Sequence, residues 1–127
     1  MYTVTGTLTD AAAATITGDY PFTAELHTLG PNSVYFDSHP ILSSGASSSY
    51  GEFAPVFTID PETNKIISVV NKAGQPSPDR KRAAEIVATG INAYDPATKS
   101  FDVTYVMSQG GAPRTTFVEH YKYEGAR

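Results

Sequence analysis

Cysteine is absent from all 127 residues. Disulfides and thiolate metal sites are therefore excluded, while the compartment stays open, because many exported domains also lack cysteine. Tryptophan is absent too, which removes the strongest stacking surface that a sugar site could use. Positive charge is scarce: 9 Lys and Arg against 13 Asp and Glu leave a net charge of −4. Nucleic-acid phosphates need a basic face, and this balance argues against such a partner. No apolar run approaches the ~20 residues that a membrane-spanning helix requires. The expectation is either a cytoplasmic protein or a piece of a longer exported chain whose leader and upstream domain have been removed.

What is present suits a single domain over residues 1–127 with a real core, at 40% hydrophobic and 17% charged residues. The aromatic residues are eight Tyr and six Phe. Their placement is periodic. Phe53, Pro55, Phe57 and Ile59 fall on alternate positions, and Ile66, Ile67, Val69 and Val70 follow across a polar loop. Alternation and β-branching predict a hairpin. Its loop, Asp60 to Lys65, has Pro61 to preset φ, an Asp60 carboxylate to accept backbone N–H bonds, and Asn64 for the left-handed position. The same device recurs at Asp95-Pro96-Ala97-Thr98-Lys99. Pro55 has no N–H to donate, so its strand is expected to be an edge or to carry a bulge there.

Further strands are expected at Tyr2 to Leu8, Tyr20 to Leu29, Ser33 to Phe36, Phe101 to Met107 and Thr115 to Tyr123. Gly6 interrupts the first of these and marks a bend or a close backbone approach. Asp10 to Gly18 reads as a turn or one helical turn. Asp37 to Gly51 is the longest soft segment and reads as a loop. Ala83 to Ala88 is ambiguous between helix and strand. The total, about eight short strands with turn signals between them, is the pattern of a sandwich or barrel.

Chemistry is harder to find. His27, His39 and His120 match no metal-ligand spacing and read as surface histidines. Asp37-Ser38-His39 groups triad residue types, but side chains so close in sequence rarely converge. Nothing selects a carboxylate pair from Asp37, Glu52 and Asp102. Arg80-Lys81-Arg82 reads as a solvated loop, and Gly110-Gly111 lacks the helix that a phosphate loop needs. Neither a cofactor nor a catalytic residue is expected. A tyrosine offers an apolar face and a hydroxyl, so Tyr35 and Tyr50, which flank the Ser-rich loop, and Phe53 beyond it are the candidate ligand-binding residues.

Several segments together carry a resemblance. They are Gly6-Thr7-Leu8-Thr9-Asp10, Tyr20-Pro21-Phe22-Thr23-Ala24-Glu25-Leu26, Gly51-Glu52-Phe53-Ala54-Pro55-Val56-Phe57, Gly74-Gln75-Pro76, Asn92-Ala93-Tyr94-Asp95-Pro96 and Tyr121-Lys122-Tyr123-Glu124-Gly125-Ala126-Arg127. In order and spacing the chain resembles the lipocalin-like C-terminal domain of surface lipoproteins from gut Bacteroidetes, which typically follows an immunoglobulin-like domain. The resemblance implies an antiparallel, all-β, lipocalin-like barrel of about eight strands, mostly a meander, with Ala83 to Ala88 extended. It also implies an exported parent protein at the outer membrane or cell surface. It brings no catalytic motif. The function it suggests is a non-catalytic ligand-binding or accessory module, with a saccharide or other small ligand as partner. The alternative is a structural domain that docks a neighbouring domain or surface protein.

Overall fold

The computed structural model describes residues 1–125; Ala126 and Arg127, the end of the last resembling segment, lie outside the described residues. Among these, thirteen strands and no helix are found. The longest are β1 (Tyr2–Asp10), β12 (Ser100–Gln109) and β13 (Ala112–Tyr123). They lie side by side with β13 in the middle, Val4 opposite Tyr121 on one flank and Tyr105 opposite Phe117 on the other. Every pairing is antiparallel.

From β1 the sheet continues through β2 (Ile16–Gly18) and β6 (Pro40–Ser43) to β7 (Ala46–Ser49). From β12 it continues through β11 (Ala93–Asp95), β9 (Lys65–Asn71), β8 (Pro55–Asp60) and β5 (Ser33–Tyr35) to β4 (His27–Gly30). Two strands lie off this path: β3 (Phe22–Ala24) on β1 and β10 (Arg82–Ile86) on the far half of β12. The outermost strands, β4 and β7, are not paired with each other, so the sheet curls into an open half-barrel.

The architecture is therefore antiparallel all-β, with more strands than the eight expected. Four local departures account for the difference. Ile16–Gly18, in the segment expected to be a turn or one helical turn, is the short strand β2, paired with β1 and β6. Tyr20 to Leu29 is broken into β3 and β4. The soft segment after Asp37 contains a hairpin, β6 and β7, in which Pro40, Ile41, Leu42 and Ser43 stand opposite Ser49, Ser48, Ser47 and Ala46. These residues carry no apolar alternation, so nothing in the pattern announces a strand. Ala93–Asp95 is a separate short strand before the second Asp-Pro loop. Pro55 is buried at the first residue of β8, before pairing with β5 begins at Val56. At Pro55 the strand is paired with β9 alone, so it is an edge there and the missing donor costs nothing; the bulge falls later, between Thr58 and Ile59.

Other expectations match the structure. Residues Arg82–Ile86 are a strand. In the two Asp-Pro loops Asp60 accepts the Glu62 N–H and Asp95 the Ala97 N–H. Asn64 has a positive φ of 57°.

Aromatic cross-strand pairs build the core. Phe101 stacks on Tyr121 with centroids 4.5 Å apart, and Tyr105 on Phe117 at the same distance; both are opposed pairs of β12 and β13. Such pairs add about 0.5–1.5 kcal/mol beyond their area. Phe57 from β8 meets Tyr105 and Tyr121 edge-on, at 5.5 and 5.3 Å, and closes the curl from the opposite side. The wall is thinnest at Gly6, where an added Cβ would lie 2.1 Å from the Val118 carbonyl oxygen.

Gly6→Ala is therefore expected to cost about 2 kcal/mol or more in urea unfolding. Gly30→Ala, whose Cβ would meet nothing within 4 Å, is expected to stay within about 0.5 kcal/mol of the parent.

Candidate functional site

Strand β13 turns Thr115, Phe117, Glu119 and Tyr121 into the core and Thr116, Val118 and Lys122 outward. One of the inward residues is a carboxylate. Glu119 is buried, and its two oxygens accept four hydrogen bonds: Tyr20 Oη at 2.5 Å and His39 Nε2 at 2.5 Å on Oε2, Tyr105 Oη at 2.6 Å and Tyr121 Oη at 2.7 Å on Oε1. A carboxylate has about four lone-pair sites, so this one is saturated.

The proton count on His39 follows from its partners. Nδ1 faces the Pro40 carbonyl at 2.8 Å, which can only accept, so Nδ1 donates. Nε2 faces the ionised Glu119 and donates as well. The ring is an imidazolium. It lies against Phe117, Phe22, Phe36 and Tyr20, with centroids 4.6, 5.2, 5.7 and 6.2 Å away, faces that attract a cation.

Burial alone would raise the Glu119 carboxyl, but the His39 charge and the hydrogen bonds from His39, Tyr105 and Tyr20 outweigh it and hold the carboxyl below its ordinary value. The same surroundings push the phenols the other way. Burial and then the Glu119 charge raise Tyr20, Tyr105 and Tyr121 well above the usual phenol range.

A second polar cluster closes the end of the barrel where β1 finishes. Asp10 caps the following turn through the N–H groups of Ala12 and Ala13. Its other oxygen takes the Tyr50 hydroxyl at 2.5 Å and the Thr115 hydroxyl at 3.0 Å, and Arg114 Nε pairs with it at 3.1 Å. Burial opposes the Asp10 charge, yet the bonds from Tyr50, Ala13, Ala12 and Thr115 together keep its carboxyl below the ordinary value. Tyr50 is pushed up to about 12 by burial and by its bond to Asp10.

These clusters decide where a ligand can and cannot sit. Tyr50 and Phe53 are each 2% exposed; they meet edge-on at 6.4 Å within the core and present no ring face to a ligand. Tyr35 is half-buried on the opposite side, against His27 at 5.5 Å with Lys72 over its ring. The three expected site residues are thus not gathered around one mouth. His39, expected at the surface, is fully buried. The reason is alternation across β6: His39 and Ile41 both point inward from a segment with no other apolar signal. His120 pairs with Asp102 at 2.9 Å on the outer face, and His27 is exposed. Asp37 and Ser38 are exposed while His39 points away into the core, so the three do not form a triad.

A cleft of about 800 Å³ opens outside the packed core. Its floor is Phe22 and Phe36, two of the rings that enclose His39. Pro21, Ala24 and Pro40 extend the apolar surface, and Asp37, Glu25, His27, Ser38, Thr3 and Thr23 supply polar groups around it. Comparison of the chain with protein-family models, curated proteins and solved structures finds no match to any of them.

Glu119 was legible as the middle member of the inward series Phe117, Glu119, Tyr121; a charge on a dry face is the signal. Replacing it by Gln leaves the His39 charge without its partner and is expected to cost about 3–5 kcal/mol in chemical denaturation. The pH dependence has a fixed sign. Glu119 and Asp10 have folded values below their unfolded ones, so their contribution is whole above the ordinary carboxylate range of about 4. It is lost as pH falls through the depressed folded values. At the alkaline end the phenols of Tyr20, Tyr105 and Tyr121 have raised folded values. Absorbance titration should show them ionising only as the circular dichroism of the fold is lost, well above the usual phenol value of about 10.

Proposed function

We propose that the chain is a non-catalytic ligand-binding module of the lipocalin-like kind, in which the interior is filled and the ligand is held in the outer cleft over Phe22 and Phe36. The ligand class that suits this cleft is a saccharide or a similar polyhydroxylated molecule. The observation that carries the reading is the lining itself. A half-buried aromatic ring lies beside an exposed carboxylate, an imidazole and several hydroxyls, and that mixture matches the apolar face and polar edge of a sugar ring. Tyr35 enters at one remove, by stacking behind His27.

A non-catalytic role is supported by the commitment of the buried acids and base. Both nitrogens of His39 and both oxygens of Glu119 and Asp10 are engaged. Such groups are anchored and have no lone pair or proton free for a substrate. The resemblance described above extends the proposal to an accessory domain of an exported surface lipoprotein, with glycan capture as its role.

A protein-docking role is the second reading. It is favoured by Val118 and Ile91, which are 49% and 69% exposed beside a groove of about 490 Å³ on the outer face of β12 and β13.

A glycan array followed by calorimetry tests the first reading. An oligosaccharide that binds the parent should bind Asp37→Ala about tenfold more weakly, the loss of roughly one hydrogen bond to a charged group. Phe22→Ala should weaken it at least as much. Asp37 is on the surface, so its variant keeps the parent's stability and isolates the binding effect. Undiminished binding by both variants, or no binding of any glycan, would remove the cleft from consideration and favour docking through the Val118 face.

A further inference from the structure

At the end of the barrel remote from the cleft, two arginines meet at one neutral amide and a third lies near one of them. Arg82 is the cross-strand partner of Gln109, and its Nε donates to Gln109 Oε1 at 3.3 Å. Arg114 donates to the same oxygen through Nη1. The two guanidinium groups also bracket one ring, with Arg82 Cζ 4.9 Å and Arg114 Cζ 5.7 Å from the centroid of Tyr50. Arg80 joins them across Gly51. A Cβ on that glycine would lie 3.5 Å from Arg80 Nε, and its carbonyl accepts from Arg82 Nη1 at 2.5 Å.

Two nearby carboxylates balance this charge only in part, two against three. Asp10 pairs with Arg114 but is shared among the N–H groups of Ala12 and Ala13 and the hydroxyls of Tyr50 and Thr115. Glu52 accepts the main-chain N–H groups of Asp79 and Arg80, both at 3.2 Å, and its charge also reaches Arg80 and Arg82. The Arg82 guanidinium is met by a peptide carbonyl and a side-chain amide, both uncharged. Like charges held this closely repel one another, and planar guanidinium groups match an oxyanion through paired N–H donors.

We propose that Arg80, Arg82 and Arg114 form a binding site for an oxyanion, a sulfate, phosphate or carboxylate group, seated beside Gln109 at the closed end of the barrel. The site is separate from the sugar cleft: it lies at the Asp10 end of β1, whereas the cleft includes Thr3 at the other end. Burial, and then the charges of Arg80 and Arg114, also lower the proton affinity of Arg82, the direction that a bound anion would reverse.

Calorimetric titration at matched ionic strength, with sodium chloride as the reference salt, tests the proposal. Sodium sulfate is the small-anion probe, and sodium glucuronate presents a carboxylate on a sugar ring. The parent should give a saturable heat with sulfate. Arg80→Ala, a change at an exposed side chain, should weaken it about tenfold. Gln109→Glu places a carboxylate between Arg82 and Arg114. It should melt at a higher temperature than the parent in chloride and should lose the sulfate heat altogether. Glucuronate bound by the parent but not by Gln109→Glu would assign the site to the acid group of a larger ligand. Sulfate binding alone would assign it to a free tetrahedral anion. No saturable heat with either anion, or equal affinity in parent and Gln109→Glu, would overturn the proposal.

Discussion

A single carboxylate, enclosed and fully hydrogen-bonded, sets the terms for the rest of this structure. Moving Glu119 out of water carries a penalty of several kcal/mol. The structure offsets it by bringing four donors from separate parts of the chain: Tyr20 before β3, His39 before β6, and Tyr105 and Tyr121 on neighbouring strands. The geometry is demanding, because the loss of any one donor leaves a lone pair bare in a low-dielectric interior. The two donors from loops are the informative ones. Tyr20 and His39 lie outside the strands, next to β3 and β6, and the carboxylate anchors both against the long β1–β13–β12 ribbon. The His39 charge is balanced by Glu119, and its ring faces are covered by Phe117, Phe22 and Phe36.

A consequence follows for binding. Stacked rings from β12 and β13 and the saturated cluster fill the space that a hollow barrel would give to a ligand. The second cluster, Asp10 with Tyr50, Thr115 and Arg114, plugs one end. The proposed recognition surface lies outside that interior, in the cleft lined by Phe22 and Phe36, two of the rings around His39. The rigid knot and the cleft share Phe22 and Phe36, so the anchor that fixes the loops also fixes the proposed ligand surface. Such preorganisation reduces the ordering cost of binding.

Much of the fold could be read from alternation. The strands β8, β9, β12 and β13 show a dry face in the sequence, and the Asp-Pro loops between strands show their turn chemistry. Short strands could not be read that way. β7 is built largely of serine and β6 carries only an adjacent apolar pair, so backbone pairing seats them and leaves no periodic mark. The functional reading suffered from the same blindness. Tyr50 and Phe53 flank a loop in sequence, which suggested a rim, but the hairpin that replaces the loop turns both inward. His39 lacked apolar neighbours at alternate positions except Ile41, and nothing local revealed its partner 80 residues away. Glu119 was the visible exception, a charge on an otherwise apolar face. Its meaning depended on the donors, and these converge only in three dimensions.

The account rests on the protonation of one pair, and nitrogen NMR of the His39 ring measures it directly. At neutral pH both ring nitrogens should carry slowly exchanging protons, with carbon-labelled Glu119 showing an ionised carboxylate. A neutral His39 with a single protonated nitrogen, opposite an un-ionised Glu119 carboxyl, would contradict it.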